Sequence, residues 1–180
     1  MRVVAGTAGG LRLVAPDGQA TRPTSDRARE ATFNSLGSLG VIEGATVLDL
    51  FAGSGAMGIE ALSRDAVHAT FVDNDDRARR AIKANLETTK LVDRGSVVAA
   101  DAFTFLATVD RRFDVAVLDP PYAFDRWVEV LEVLPAEVAV LESDRPIDPG
   151  EAWTVVRVRR YGTTVVTICR RSPDLQENST

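Results

Sequence analysis

Apolar positions along this chain fall into two alternating patterns. The runs Thr46–Leu50, Ala69–Asp73, Gly95–Ala99, Phe113–Leu118 and Glu137–Leu141 are short, β-branched and apolar on successive positions, as strands buried on both faces are. Between them, Ala56–Arg64, Asp75–Thr88, Asp101–Val109 and Arg126–Leu134 carry apolar residues at helical spacing, with Asp75 and Asp101 placed to cap first turns. Strands alternating with helices of this length predict an α/β fold, a mostly parallel sheet with helices on both faces. Ligands of such sheets bind at the carboxyl ends of the strands.

The two ends are patterned differently. Val3–Ala5 and Leu11–Val14 flank Gly9 and Gly10 and predict a small N-terminal β-hairpin. Thr21–Ser25 then leads into a helix from Asp26 to Leu36, stopped near Gly37. At the other end Trp153–Arg160 and Thr163–Ile168, joined at Tyr161 and Gly162, predict a C-terminal antiparallel hairpin that completes a seven-stranded sheet. One domain over residues 1–180 is expected: an extension of hairpin and helix (1–40), an α/β core (41–172) and a frayed polar tail (173–180).

Composition removes several function classes. Apolar residues make up 45% of the chain, enough for a sizeable core. No stretch approaches the ~18 consecutive apolar residues of a membrane span, and the first ten residues lack a signal-peptide core, so a cytoplasmic protein with no membrane partner is expected. Cys169 and His68 are the single cysteine and histidine. They predict no disulfide, no zinc or other metal site, and no Ser-His or Cys-His catalytic pair. Cys169 reads as a small core residue and His68 as structural. The net charge of −5 is unevenly spread: residues 1–35 hold five arginines against three acids, and residues 151–172 hold five against one. Phosphate-seeking charge sits at the chain ends, and the acidic middle suits a cationic or hydroxyl-rich small ligand.

The run Val47–Ala61 contains Gly53-Ser-Gly55-Ala-Met-Gly58 between a strand and a helix, where the backbone can approach a ligand closely. With Asp73 at the end of the second strand, it formally meets the fingerprint of a dinucleotide site and of an NAD-dependent oxidoreductase. Electrostatics points elsewhere. Asp49 lies at the strand end just before the turn, where a carboxylate repels a pyrophosphate. S-adenosylmethionine has no phosphate; its ammonium and sulfonium favour an acid there, and its ribose still suits Asp73. Asp101, followed by Ala102 and Phe103, is placed for the adenine edge, or simply for helix capping.

The second motif, Asp119-Pro120-Pro121-Tyr122, ends the fourth strand and faces the same crevice. Its prolines remove two N–H donors and leave an acceptor cluster, which suits an N–H donor substrate. An exocyclic amino group of a base is a poor nucleophile because its lone pair is delocalised. Hydrogen bonds to Asp119 and to the Pro120 carbonyl hold the nitrogen and favour a lone pair aimed at a sulfonium methyl. Tyr122 is placed to stack on a flipped base.

Both motifs resemble those of Rossmann-like class I S-adenosylmethionine-dependent methyltransferases acting on amino groups. Nearly the whole chain resembles the RsmD family of bacterial 16S ribosomal RNA guanine-N2 methyltransferases, on Thr21–Asn34, Leu48–Gly55, Glu60–Arg64 and Asp119–Tyr122. The resemblance implies S-adenosylmethionine as cofactor and the N2 amine of guanine 966 as target. It implies 16S RNA within the small ribosomal subunit, or a late assembly intermediate, as partner, and a monomer is expected. It implies a cofactor site of Asp49, Phe51, Ala52, Gly53, Gly55, Asp73, Asn74, Asp101 and Ala102, and a catalytic set of Asp119, Pro120 and Tyr122. Arg22, Thr24, Arg27 and Arg29 are the RNA contacts it implies, with Arg157, Arg159 and Arg160 weaker candidates. One departure stands out: the first turn, usually basic in the family, is Gly6-Thr-Ala-Gly-Gly10 here. Asp-Pro-Pro-Tyr also occurs in adenine-N6 DNA methyltransferases, which stay open as an alternative, as does a non-catalytic RNA-binding protein on the same fold.

Overall fold

A computed structural model describes residues 1–16 and 26–173. The elements in chain order are α1 (Asp26–Ser38), β1 (Thr46–Leu50), α2 (Ala56–Ser63), β2 (His68–Asp73), α3 (Asp76–Thr89), a 3₁₀ turn (Val92–Arg94), β3 (Gly95–Ala99), α4 (Ala102–Thr108), β4 (Phe113–Leu118), α5 (Trp127–Val133), β5 (Ala136–Ser143), β6 (Trp153–Tyr161) and β7 (Thr164–Arg171). The seven strands form one sheet in the order β3-β2-β1-β4-β5-β7-β6. The first five are parallel, and β7 runs antiparallel to both β5 and β6. This is the α/β architecture the strand–helix alternation predicts.

Side-chain alternation divides the core between the two faces. Val47, Phe71, Val115, Val117, Val138, Val140 and Ile168 meet Phe33 and Leu36 of α1, Ile59 and Leu62 of α2 and Ile82 and Leu86 of α3. Leu48, Leu50, Val72, Ala116, Leu118 and Leu141 face Phe105 of α4 and Val130 and Leu131 of α5. Each fully buried Leu or Ile contributes about 1.5–3 kcal/mol, so the middle strands hold the molecule together. Trp153 packs rather than presenting a platform: its Nε1–H donates to the Leu131 carbonyl at 3.0 Å, and the Arg171 guanidinium lies over its ring. Cys169 is fully buried, and burial pushes its thiol up to about 11, so it is the inert core residue expected. His68 meets the Ser96 hydroxyl at 3.0 Å, a structural contact.

The N-terminal hairpin forms in a short version: Arg2 and Arg12 make an antiparallel bridge, Val3 N–H donates to the Leu11 carbonyl, Gly10 N–H to that of Val3 and Leu13 N–H to that of Met1. The residues between are claimed by α2 instead. Glu60 accepts from the backbone of Val4 (2.7 Å) and Ala5 (3.1 Å), and Ser63 accepts from Ala8 (2.9 Å). A Cβ on Gly6 would lie 1.8 Å from the Ser63 carbonyl oxygen, so this glycine permits the turn to seat against α2. The turn that carries no basic residue is thus a packing device. Helix α1 runs on through Gly37 to Ser38, because a helix packed through its other residues tolerates one glycine at an exposed position at a cost of about 1 kcal/mol.

Candidate active site

The parallel register brings the sequence motifs to one edge. Leu50 of β1 lies beside Val72 of β2 and Leu118 of β4, so the glycine turn, Asp73 and Asp119 leave the sheet side by side. Asp73 lies beside Ala99 of β3, two residues before Asp101. Four adjacent strands therefore deliver four acids, Asp49, Asp73, Asp101 and Asp119, to the carboxyl edge where doubly wound sheets bind ligands.

Each acid is held differently. Asp49 is 2% exposed and accepts a hydrogen bond from Gly58 N–H, in the first turn of α2, at 2.9 Å. Desolvation raises its pKa to about 7, against the Gly58 bond, which lowers it, with Asp73 adding repulsion. Asp73 binds backbone with both oxygens: Gly53 N–H donates to Oδ2 and Asp75 N–H to Oδ1, each at 2.8 Å. It clamps the glycine turn to β2, and each oxygen keeps a further lone pair. Asp101 caps α4, accepting from Phe103 and Thr104 N–H at 3.1 and 3.0 Å. Its pKa lies below the ordinary carboxylate value, held there first by the Thr104 hydroxyl. Asp75 caps α3 as expected, accepting from Arg77 N–H at 2.8 Å. Asn74, Asp119 and Tyr122 are exposed, and Pro120, Ala52 and Ala102 are buried.

The turn itself is strained where it meets the edge. Phe51 adopts φ +66°, the left-handed region that a bulky side chain rarely takes. Gly53 follows at φ +54° with nothing within 4 Å of a notional Cβ, leaving its outer face open for a ligand. The unusual backbone of Phe51 turns its ring onto Phe124, with centroids 5.3 Å apart and planes at 64°. Phe124 also meets Phe103 at 6.5 Å and Trp127 at 5.3 Å, and Arg126 lies 3.8 Å above the Phe103 ring. An aromatic wall thus joins the glycine turn, α4 and the loop after Asp119-Pro-Pro-Tyr. Sequence reading left Phe124 unassigned, and Trp127, 6% exposed, belongs to packing.

Behind the turn, Asn85 of α3 is 1% exposed. Its Oδ1 accepts from Val14 N–H at 2.8 Å, while Nδ2 donates to the carbonyls of Val14 (2.9 Å) and Ser54 (2.8 Å). It ties the N-terminal segment to the glycine turn.

Of the four expected RNA contacts, Arg22 and Thr24 lie outside the described residues, and Arg27 is exposed on α1. Arg29 requires correction. It is 1% exposed, donates to the Arg2 carbonyl, pairs with Asp26 at 2.8 Å and lies 3.7 Å from Glu60. A guanidinium buried against carboxylates has no face for RNA; it fastens α1 and the N-terminal segment to α2. Arg157 is likewise engaged, donating to the Ser35 hydroxyl at 2.8 Å. Among the described residues no cluster of metal-ligating side chains is present, and no helix is long and apolar enough to cross a membrane.

A buried acid beside an open glycine cradle, a second acid beside it and an aromatic wall fit a cationic nucleoside and disfavour a pyrophosphate. Residues 1–170 match the family model described as conserved hypothetical protein 95. The Haemophilus influenzae ribosomal RNA small subunit methyltransferase D is 33% identical over 174 residues, 90% of this chain and 89% of that one. The solved structure of an Escherichia coli protein provisionally named methyltransferase yhhF is 32% identical, with a TM-score of 0.83 over 96% of this chain and 98% of that chain. In fold alone the chain is also similar to SMU.776, solved in complex with SAH (17% identity, TM-score 0.65, 80% of this chain and 48% of that one).

Proposed function

This chain belongs to the RsmD family, described as conserved hypothetical protein 95, and we propose that it methylates the N2 amine of a guanine in small-subunit ribosomal RNA. It is an rRNA methyltransferase. The observation that carries the finer reading is the register of Leu50 with Leu118, which sets the Asp119-Pro-Pro-Tyr acceptor cluster beside the glycine turn.

The cofactor is S-adenosylmethionine, which when bound supplies an electrophilic methyl group. Asp49, the turn Phe51-Ala52-Gly53 with Gly55, Asp73, Asn74, Asp101 and Ala102 are the residues that would hold it. Asp73 and Asp101 keep lone pairs for hydroxyl and amine donors beyond those spent on backbone. Asp49 offers charge to a cation without meeting water, since it lies beneath the turn.

On the acceptor side, Asp119 and the Pro120 carbonyl accept the two N–H bonds of the base amine. They orient its nitrogen and increase its electron density as the bond to carbon forms. Asp119, exposed at the strand end, takes up the proton the nitrogen releases or passes it to water. Tyr122, 37% exposed, presents a face on which the flipped base stacks, a contact worth about 1–3 kcal/mol.

The test is transfer of radiolabelled methyl from S-adenosylmethionine to small subunits from a strain lacking this protein, with naked 16S RNA and duplex DNA alongside. The expected product is labelled N2-methylguanosine in 16S RNA, abolished by Asp119→Ala with cofactor binding intact. Label on duplex DNA adenine in place of RNA would overturn the substrate assignment. Cofactor binding without label in any acceptor would leave a non-catalytic RNA-binding protein.

A further inference from the structure

The arginines of this chain divide by whether they are neutralised. Among the exposed ones, Arg77, Arg80, Arg112, Arg126 and Arg145 each pair with a carboxylate. Arg2, Arg12, Arg27, Arg159 and Arg160 are exposed as well, yet none of them meets a carboxylate among the described residues. Among the described residues, the Arg159 guanidinium donates to the adjacent Val158 carbonyl.

Topology brings these five together. Ser143, at the carboxyl end of β5, pairs with Val165, and Tyr161 pairs with Thr164. The β6–β7 turn, with Arg159 and Arg160 just before it, therefore projects at the same carboxyl edge as the active site. Helix α1 leads to Gly40 and Val41, which share a cleft with Asp114 and Glu137 at the opposite, amino edge. Its first residues, Asp26 and Arg27, therefore lie at the carboxyl edge. Arg157 ties β6 to α1 through Ser35, and Arg29 ties α1 to the Arg2 carbonyl, so the three pieces share one flank. Two other exposed arginines without a carboxylate among the described residues lie apart from the strip, near the amino edge: Arg170 pairs with Val138 in register, and Arg111, just before β4, donates to the Thr70 hydroxyl and lies over the Phe113 ring.

We infer that the tip of the β6–β7 hairpin, through Arg159 and Arg160, is an RNA phosphate-contacting surface continuous with Arg2, Arg12 and Arg27. This rests on the rRNA methyltransferase reading above. Leaving cations exposed without counter-charges costs little in water and preserves them for a polyanion, whose binding releases condensed counterions. The valines between, Val155, Val156 and Val158, stay 40–44% exposed and supply apolar contact to sugars along the strip. In this chain the hairpin supplies the charge that the glycine-rich first turn lacks.

The test compares wild type, Arg159→Ala/Arg160→Ala and Arg159→Lys/Arg160→Lys, measuring affinity for naked 16S RNA and for small subunits across a salt series, with cofactor affinity as the check on folding. Loss of two phosphate contacts should weaken RNA binding roughly tenfold at low salt and lower the salt slope by about 2. Cofactor affinity should stay unchanged, and the lysine pair should restore most of the loss. Unchanged RNA affinity and slope in the alanine pair would overturn the inference. So would full affinity for naked RNA with a loss confined to the particle, since that assigns the hairpin to a ribosomal protein. If wild type itself methylates no RNA, the functional reading fails; if wild type methylates and the alanine pair binds normally, only the hairpin assignment fails.

Discussion

Replacing Asp49 by asparagine separates the folding cost of this acid from its use. The unfolded carboxyl releases its proton near its ordinary value of 3.8, while in the folded protein it is retained up to about 7. The folded pKa is the higher one, so the stability this group contributes is complete below pH 3.8 and is lost as the pH rises to about 7. At about 1.4 kcal/mol per unit, the loss levels off near 4 kcal/mol above pH 7. Asparagine imitates the neutral acid and still accepts from Gly58 N–H. In urea unfolding from pH 4 to 8, Asp49→Asn should match wild type at the acid end and exceed it by about 4 kcal/mol at pH 8. Calorimetric titration with S-adenosylmethionine should show the opposite order. Wild-type affinity should rise about tenfold per unit up to pH 7, as the cation comes to meet an ionised acid, whereas the variant should bind weakly and without that slope. Parallel stability curves for the two proteins, or a wild-type affinity flat from pH 5 to 8, would refute the reasoning.

Other perturbations address the supports of the site. Glu60→Ala leaves the buried Arg29 guanidinium with Asp26 as its one remaining carboxylate, deprives Arg64 of its carboxylate partner and frees the N–H groups of Val4 and Ala5; it should cost about 3–5 kcal/mol by denaturant titration. Phe51→Gly relieves the left-handed backbone, worth about 1 kcal/mol, but removes the ring from Phe124; stability should change little while methyl transfer falls at least about tenfold. Equal turnover in that variant would sever the aromatic wall from function. Asn85→Ala orphans Val14 and Ser54 backbone groups, so it should lower stability by about 1–3 kcal/mol and raise the KM for the cofactor more than it lowers kcat.

The strands and most helices were legible because they follow from local pattern: continuous β-branched runs, helical spacing, and Asp75 and Asp101 at caps. The site was legible in so far as its parts are contiguous, as the glycine turn and Asp119-Pro-Pro-Tyr are. What sequence reading missed depends on contacts between distant residues. Arg29 looks like any exposed helix arginine until α2 places Glu60 beside it, thirty-odd positions away. A signal existed, since Glu60 is a lone charge in the otherwise uncharged run Ala56–Ser63, all of it buried. An isolated acid in such a helix needs a partner. Phe124 carried no comparable signal, because a single aromatic residue in a loop after two prolines has no period to betray where it packs. The hairpin expected at residues 3–14 is present but short for a related reason. The N–H groups of Val4 and Ala5 go to Glu60 rather than to the opposite arm, which no local rule could weigh.

The site faces an electrostatic conflict, because the same edge must take a cationic cofactor and a polyanionic RNA. The sheet order resolves it. Acids sit at the ends of β3, β2, β1 and β4, whereas the unpaired hairpin arginines sit on β6, beyond β5 and β7. Four strand spacings of about 4.8 Å separate β1 from β6 and three separate β4 from it, so Asp49 lies about 19 Å and Asp119 about 14 Å from the hairpin arginines, both beyond one Debye length at physiological salt. At that range RNA phosphates on the hairpin are screened from Asp49 and Asp73, and only the flipped base needs to cross to Asp119. The target amine is neutral and a donor, so it is the one part of the RNA that gains from approaching the acids. Lowering the salt to lengthen the screening distance should therefore strengthen RNA binding through the arginines less steeply than their number alone implies, because repulsion from the acidic edge grows with it. At pH 8, where Asp49 is ionised, Asp49→Asn should steepen the measured salt slope, whereas an unchanged slope would mean that the strands separate the two fields completely.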